Sequence, residues 1–133
     1  MLKRNKRFFL MLLTFALTLG CVGCASDSGS ATYEQISGAE AKALMDSEGG
    51  YIIIDARTQS EYDEGHIPGA ILIPEYEIAD RAEKELPDKK QLILVYCRSG
   101  RRSKIAAEEL VKLGYTNVKE FGGIIDWEYE IVK

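Results

Sequence analysis

Residues 91–113 read QLILVYCRSGRRSKIAAEELVKL, three segments of different character in 23 residues. Gln91 to Tyr96 is the most strand-like run in the chain, apolar on both faces as a buried parallel strand is. Ser103 to Leu113 places Ile105, Ala106, Leu110 and Leu113 at helical spacing, and Gly114 ends the pattern. Between them lies a short loop with one cysteine, Cys97, and three arginines, Arg98, Arg101 and Arg102. A strand that runs through a short loop into a helix is the repeating unit of an α/β domain, whose ligands bind beyond the carboxyl ends of the strands. Cys97 falls at such an end.

Working outward, the same alternation recurs. Tyr33 to Ile36 makes a short first strand, and Ser37-x-x-Glu40 has the spacing of a capping box that opens a helix through Ser47. Gly49 and Gly50 stop it, and Tyr51 to Ile54 forms a second strand ending at Asp55-Ala56-Arg57. Thr58-x-x-Glu61 opens one or two helical turns, Gly65 to Ala70 turn around Pro68, and Ala70 to Ile73 give a third strand. Glu75 to Leu86 is helix-compatible, with Pro87-Asp88 as its stop. Asn117 to Phe121 is the fifth strand, and GGIIDWEYEIVK from Gly122 closes the chain as a helix.

The 133 residues, 46% of them hydrophobic, suffice for one core and not for two ordinary domains. The first 24 residues read as an export signal: Lys3, Arg4, Lys6 and Arg7, then the apolar run Phe8 to Leu19, then small residues. Twelve strongly apolar residues are too few to span a bilayer comfortably. The segment resembles a bacterial lipoprotein signal, which is cleaved before a lipidated cysteine. Cys21 and Cys24 both follow a glycine, and either fits. A plain secretory signal is the alternative. A redox or metal pair at Cys21-x-x-Cys24 is disfavoured, because such pairs work at a helix start inside a fold. The expected organisation is a signal peptide at 1–23, a flexible linker at 24–32 and one domain at 33–133. The protein is then exported and held on the extracytoplasmic side of the cell membrane by a lipid anchor.

Beyond the apolar segment there are 13 basic residues against 21 acidic ones, which argues against nucleic acid as a partner. Anion recognition must be local to the Cys97 loop. A loop between a strand end and a helix start offers backbone N–H groups without helical partners, and the helix dipole favours negative charge there. Both favour the thiolate of Cys97, which makes it the candidate nucleophile. Gly100 lets the loop turn, and Arg98 and Arg102 can hold an oxyanion in a forked geometry, while Arg101 can face water.

These residues carry a family resemblance. Cys97-Arg98-x-Gly100-x-Arg102-Ser103 is similar to the active-site loop of rhodanese-like sulfurtransferases. Glu61-Tyr62-x-x-Gly65-His66-Ile67-Pro68-Gly69-Ala70 resembles the upstream motif, Ile54-Asp55-Ala56-Arg57 the strand end before it, and Gly122-Gly123-x-x-x-Trp127 the closing motif. The resemblance implies an α/β fold with a five-stranded, mostly parallel sheet flanked by helices on both faces. It implies catalysis by Cys97, which takes a sulfane sulfur from a donor anion such as thiosulfate and passes it to cyanide or a thiol. Arg98, Ser99, Gly100, Arg101 and Arg102 would form the substrate-binding loop, with Asp55 and Arg57 in support. No metal or organic cofactor is required, and a monomer is expected.

His66, the only histidine, more naturally fixes the turn at Pro68 than pairs with Cys97. Arg57 has an alternative as an ordinary ion-pair partner of Glu61; Tyr96 and Trp127 either line the site mouth or pack, with packing favoured, and Gly122-Gly123 marks a tight turn with positive φ. Two other enzyme readings use a similar cradle, a cysteine phosphatase and an arsenate reductase. Their pattern is His-Cys, five residues, then Arg. Here Tyr96 replaces the His and four residues separate Cys97 from Arg102, a smaller cradle better matched to one sulfur atom. A sulfur-carrier or partner-binding module, and a surface redox sensor, are readings from other classes.

Overall fold

The computed structural model describes residues 32–133; the export signal, both candidate lipidation cysteines and nearly all of the linker lie outside them. Five strands, β1 (Glu34–Gln35), β2 (Ile52–Asp55), β3 (Ile71–Leu72), β4 (Ile93–Cys97) and β5 (Val118–Gly123), form one sheet in the order β1-β5-β4-β2-β3. Every ladder in it is parallel. The central strand is β4, and all five of its residues are buried.

Period-two geometry divides the core between the two faces of the sheet. Ile54, Ile93, Val95 and Cys97 point to one side, where α3 (Ile78–Glu85) and α4 (Arg101–Lys112) cover them with Ile78, Ala82, Ala106, Ala107 and Leu110. Ile53, Leu94 and Tyr96 point to the other, under α1 (Gly38–Ser47) and α2 (Gln59–Glu64), with Ala41, Leu44, Met45 and Tyr62. Strands apolar on both faces are thus covered by helices on both faces. Both capping boxes form: Ser37 with Glu40 starts α1 and Thr58 with Glu61 starts α2.

Three expectations need correction. The closing segment is not a helix. β5 runs on through Gly123, a 3-10 turn covers Ile124–Asp126, and Val132 then pairs antiparallel with His66. Ile125 and Ile131 are more than half exposed, so the segment has no apolar helical face to bury and its docking comes from Trp127 against Phe121 instead. The Glu75–Leu86 stretch divides into a 3-10 turn at Glu75–Glu77 followed by α3, with buried Leu86 just beyond its end. In α4 the buried face is Ser103, Ala106, Ala107 and Leu110, while Ile105 is exposed. The inward stripe runs at positions i, i+3, i+4 and i+7 from Ser103, which turns Ile105 outward.

Leu94→Ala, which empties a fully buried position of the central strand, is expected to cost about 2–5 kcal/mol. Urea unfolding should show a lower midpoint with an unchanged slope.

Candidate active site

Cys97 is the last residue of β4, and only Arg98, Ser99 and Gly100 separate it from the first residue of α4. The chain reverses so tightly because Gly100 adopts φ +103, a left-handed conformation that side-chain-bearing residues disfavour. The turn aims the Gly100 N–H at the Cys97 sulfur, 3.0 Å away, and the Ser103 Oγ lies 3.3 Å from it. Burial raises the thiol pKa. The Ser103 hydroxyl and the backbone N–H groups of Ser103, Gly100 and Ser99 outweigh burial and hold it below the ordinary thiol value.

The closing glycines make the loop possible. A Cβ on Gly123 would lie 2.0 Å from the Arg98 carbonyl oxygen and 2.6 Å from the Ser99 Cα, so the loop backbone rests directly on this residue. The Ile125 N–H donates to the same Arg98 carbonyl at 3.3 Å. Gly122 has the positive φ expected of a tight turn, +85, whereas Gly123 is extended and is glycine for lack of space.

The arginines separate into two groups. Arg98 and Arg101 are exposed, and neither forms an ion pair among the described residues. Arg102 is half-buried, and the fork expected to hold an oxyanion holds Glu61 instead, Nη1 to Oε2 at 2.7 Å and Nη2 to Oε1 at 2.8 Å. The Glu61 carboxylate also accepts the Thr58 N–H and hydroxyl at the start of α2. Arg102, and secondarily these Thr58 bonds, lower its pKa from the ordinary 4.5 to about 2 against the effect of burial.

The pairing of Arg57 with Glu61 does not occur. Arg57 pairs with Asp55 in the buried layer, through Nε at 2.9 Å and Nη2 at 2.7 Å, and donates to the Gly65 carbonyl at 2.7 Å. The Tyr96 hydroxyl donates to Asp55 at 2.6 Å and accepts the Ile67 N–H at 3.1 Å. Burial and the adjacent Asp55 carboxylate push its pKa far up, so the phenol stays a donor. The cluster ties the Gly65–Ile67 turn to β2 and reaches β4 one residue before Cys97. His66 stacks on Tyr62 and its Nδ1 meets the Tyr62 carbonyl at 2.9 Å, contacts that belong to the turn and not to the thiol. Trp127 packs on Phe121 and Tyr129.

The rhodanese-like domain family matches residues 37–130, well over half of the chain. The chain belongs to the rhodanese-like family. It is 42% identical over 73 residues to the thiosulfate sulfurtransferase PspE of Escherichia coli, covering 55% of this chain and 70% of that one. It is 35% identical over 97 residues to the thiosulfate sulfurtransferase GlpE of Coxiella burnetii, covering 72% and 88%. It is likewise 35% identical over 103 residues to a putative sulfur carrier protein, YrkF, of Bacillus subtilis, covering 77% and 55%. Among solved structures, a rhodanese with anions from E. coli aligns with a TM-score of 0.59 at 40% identity, over 62% of this chain and 98% of that one. A thiosulfate sulfurtransferase from Pseudomonas aeruginosa aligns at 0.68 and 30% identity, over 75% and 20%.

Sequence reading missed three residues of this rhodanese-like site: Ser103 as a neighbour of the sulfur, Glu61 as the partner of Arg102, and Glu120 behind Ser103. Glu120 had a signal. It lies two residues after Val118 on the inward face of β5, an odd place for a carboxylate. The bond between Glu61 and Arg102 had none, since 41 residues separate them.

Glu61 supports stability that is complete above the ordinary carboxylate pKa of 4.5 and lost as pH falls toward about 2. Glu61→Gln should remove that part of the acid sensitivity, read as a flatter dependence of the urea midpoint between those pH values. Gly123→Ala must displace the Arg98 carbonyl; loss of Cys97 reactivity toward iodoacetamide at neutral pH, in protein that still gives the native circular dichroism spectrum, checks it.

Proposed function

We propose that this protein is a sulfurtransferase of the rhodanese type that carries sulfur as a persulfide on Cys97. The observation that supports it best is the cradle of N–H donors that a three-residue turn gathers around one sulfur atom, with the Gly100 N–H at 3.0 Å. In the first half-reaction the Cys97 thiolate attacks the outer sulfur of thiosulfate. The new S–S bond forms as the old one breaks, and sulfite leaves with the electron pair. The persulfide anion keeps the negative charge at the same place, so the donors that favour the thiolate also favour it. In the second half-reaction cyanide or a thiolate attacks the terminal sulfur, which departs with it and returns Cys97 as thiolate.

Charge selects the donor. Arg98 and Arg101 at the rim and Arg102 beside Glu61 attract a small dianion into a protein that is otherwise acidic. Ser99 and Gly100 supply the backbone surface against which it would rest, and Asp55 and Arg57 hold β4 and the neighbouring turn in place. A tetrahedral phosphate fits less well, because the short loop and the Tyr96–Asp55 bond replace the histidine and the longer loop of cysteine phosphatases.

A carrier role that passes the persulfide to a partner protein is the second reading, favoured by the similarity to a putative sulfur carrier. We also place the protein outside the cytoplasm, anchored by lipid at Cys21 or Cys24, on the strength of the basic start, the short apolar run and the glycine before each cysteine.

Purified protein should form thiocyanate from thiosulfate and cyanide, and Cys97→Ser should reduce the rate to background. A persulfide that forms on Cys97 but is not passed to small acceptors would favour the carrier, and hydrolysis of an aryl phosphate without sulfur transfer would overturn both. The mature protein should show the mass of a lipidated N-terminal cysteine; unmodified protein in the medium would refute the anchor.

A further inference from the structure

One buried titratable group near the thiol has no part in the reaction as described. Glu120 of β5 is 2% exposed and forms no ion pair among the described residues. Its Oε1 accepts two hydrogen bonds, from the Ser103 hydroxyl at 2.6 Å and from the Gly122 N–H at 2.8 Å. The Ser103 hydroxyl, fully buried, also lies 3.3 Å from the Cys97 sulfur and within 3.3 Å of the Gly100 and Gly122 carbonyl oxygens. The register of β4 with β5 sets this arrangement, since Val95 pairs with Glu120 and Cys97 with Gly123.

A hydroxyl has one proton to donate, and all its other neighbours here are acceptors. While Cys97 is a thiol, the chain is satisfied in one direction: the S–H donates to Ser103, and Ser103 donates to the Glu120 carboxylate. Once the sulfur is an anion, Ser103 must turn its proton toward it. Its oxygen then faces Oε1 at 2.6 Å with no hydrogen between them. That contact is tolerable only if Oε1 carries the proton.

We propose that Glu120 is the proton acceptor for Cys97, acting through Ser103 as a positioning residue of the site. The Sγ–H bond breaks and its proton bonds to Ser103 Oγ, while the proton of Ser103 bonds to Glu120 Oε1. No electrons change hands and the total charge is constant. The thiolate thus forms without releasing a proton to water from a residue that is 1% exposed. With His66 occupied in its turn, Glu120 is, among the described residues, the carboxylate linked to the thiol by an unbroken hydrogen-bonded chain.

Other charged and titratable groups that act on the pair are Arg102 on the sulfur side, itself held by Glu61, and Tyr33 before β1, whose pKa is raised by burial and then by Glu108 and Glu120. The inference rests on Cys97 being the nucleophile of the proposed reaction. Alkylation reads the ionisation of the thiol without any turnover, so failure of sulfur transfer and failure of this chain are separate results.

The test is the pH dependence of Cys97 alkylation by iodoacetamide. In Glu120→Gln the Gly122 N–H keeps the amide oxygen toward Ser103, which then holds the hydroxyl proton and cannot take a second. The alkylation midpoint should rise by about one pH unit, and the rate at neutral pH should fall by about tenfold. A midpoint that stays or falls, as removal of a nearby negative charge alone would cause, overturns the proposal. Combined with Ser103→Ala, Glu120→Gln should no longer raise the midpoint; an undiminished rise also overturns it. The wild-type protein offers a check that needs no variant to fold. Alkylation at neutral pH should abolish a carboxylic acid C=O infrared band, whereas loss of an S–H band in its place would show that the proton had stayed on sulfur.

Discussion

A sulfur anion sealed into the end of a central strand has lost its water and must find N–H and O–H donors in the protein. Cys97 finds them in the turn that follows it, and that turn has little freedom. It must bend within three residues, which Gly100 permits, and it must lie flat on β5, which Gly123 permits by having no side chain. The last strand and the active loop are therefore one construction. The parallel order places β5 beside β4, so that the loop leaving one strand rests on the end of the other.

Two ion pairs surround this construction and do different work. Asp55 and Arg57 are almost wholly buried, and their bonds to Gly65 and, through Tyr96, to Ile67 join two strands to a turn. Removing one partner would strand a charge in the interior, so the pair secures geometry more than it adds net stability. Glu61 and Arg102 lie nearer the surface and link the start of α2 to the start of α4. That bond directs the half-buried arginine away from solvent while its charge remains close to the sulfur. The rim is left to Arg98 and Arg101.

Much of this was legible in the residues. Two strand runs apolar on both faces, two capping boxes and the change from an unbroken apolar run to helical spacing after the Cys97 loop pointed to the parallel α/β class, and the loop singled out Cys97. The closing segment was misread because its aromatic and branched residues look apolar without occupying one helical face. Ile105 was misassigned for a related reason: it belongs to an apolar cluster, but the face that α4 buries is that of Ser103, Ala106, Ala107 and Leu110, which leaves Ile105 outside.

What the chain determined on its own is local: strand or helix from the apolar pattern, helix starts from caps, a candidate nucleophile from a cysteine placed before a glycine turn. These depend on neighbours within about one helical turn, which the order of residues specifies directly. Which group faces which across the sheet was decided only by tertiary structure. Arg102 could have met an anion or Glu61, Arg57 could have met Glu61 or Asp55, and Glu120 gained meaning only when strand register brought it behind Ser103. Each choice depends on the distance between elements far apart in the chain, and composition and spacing carry no record of that distance.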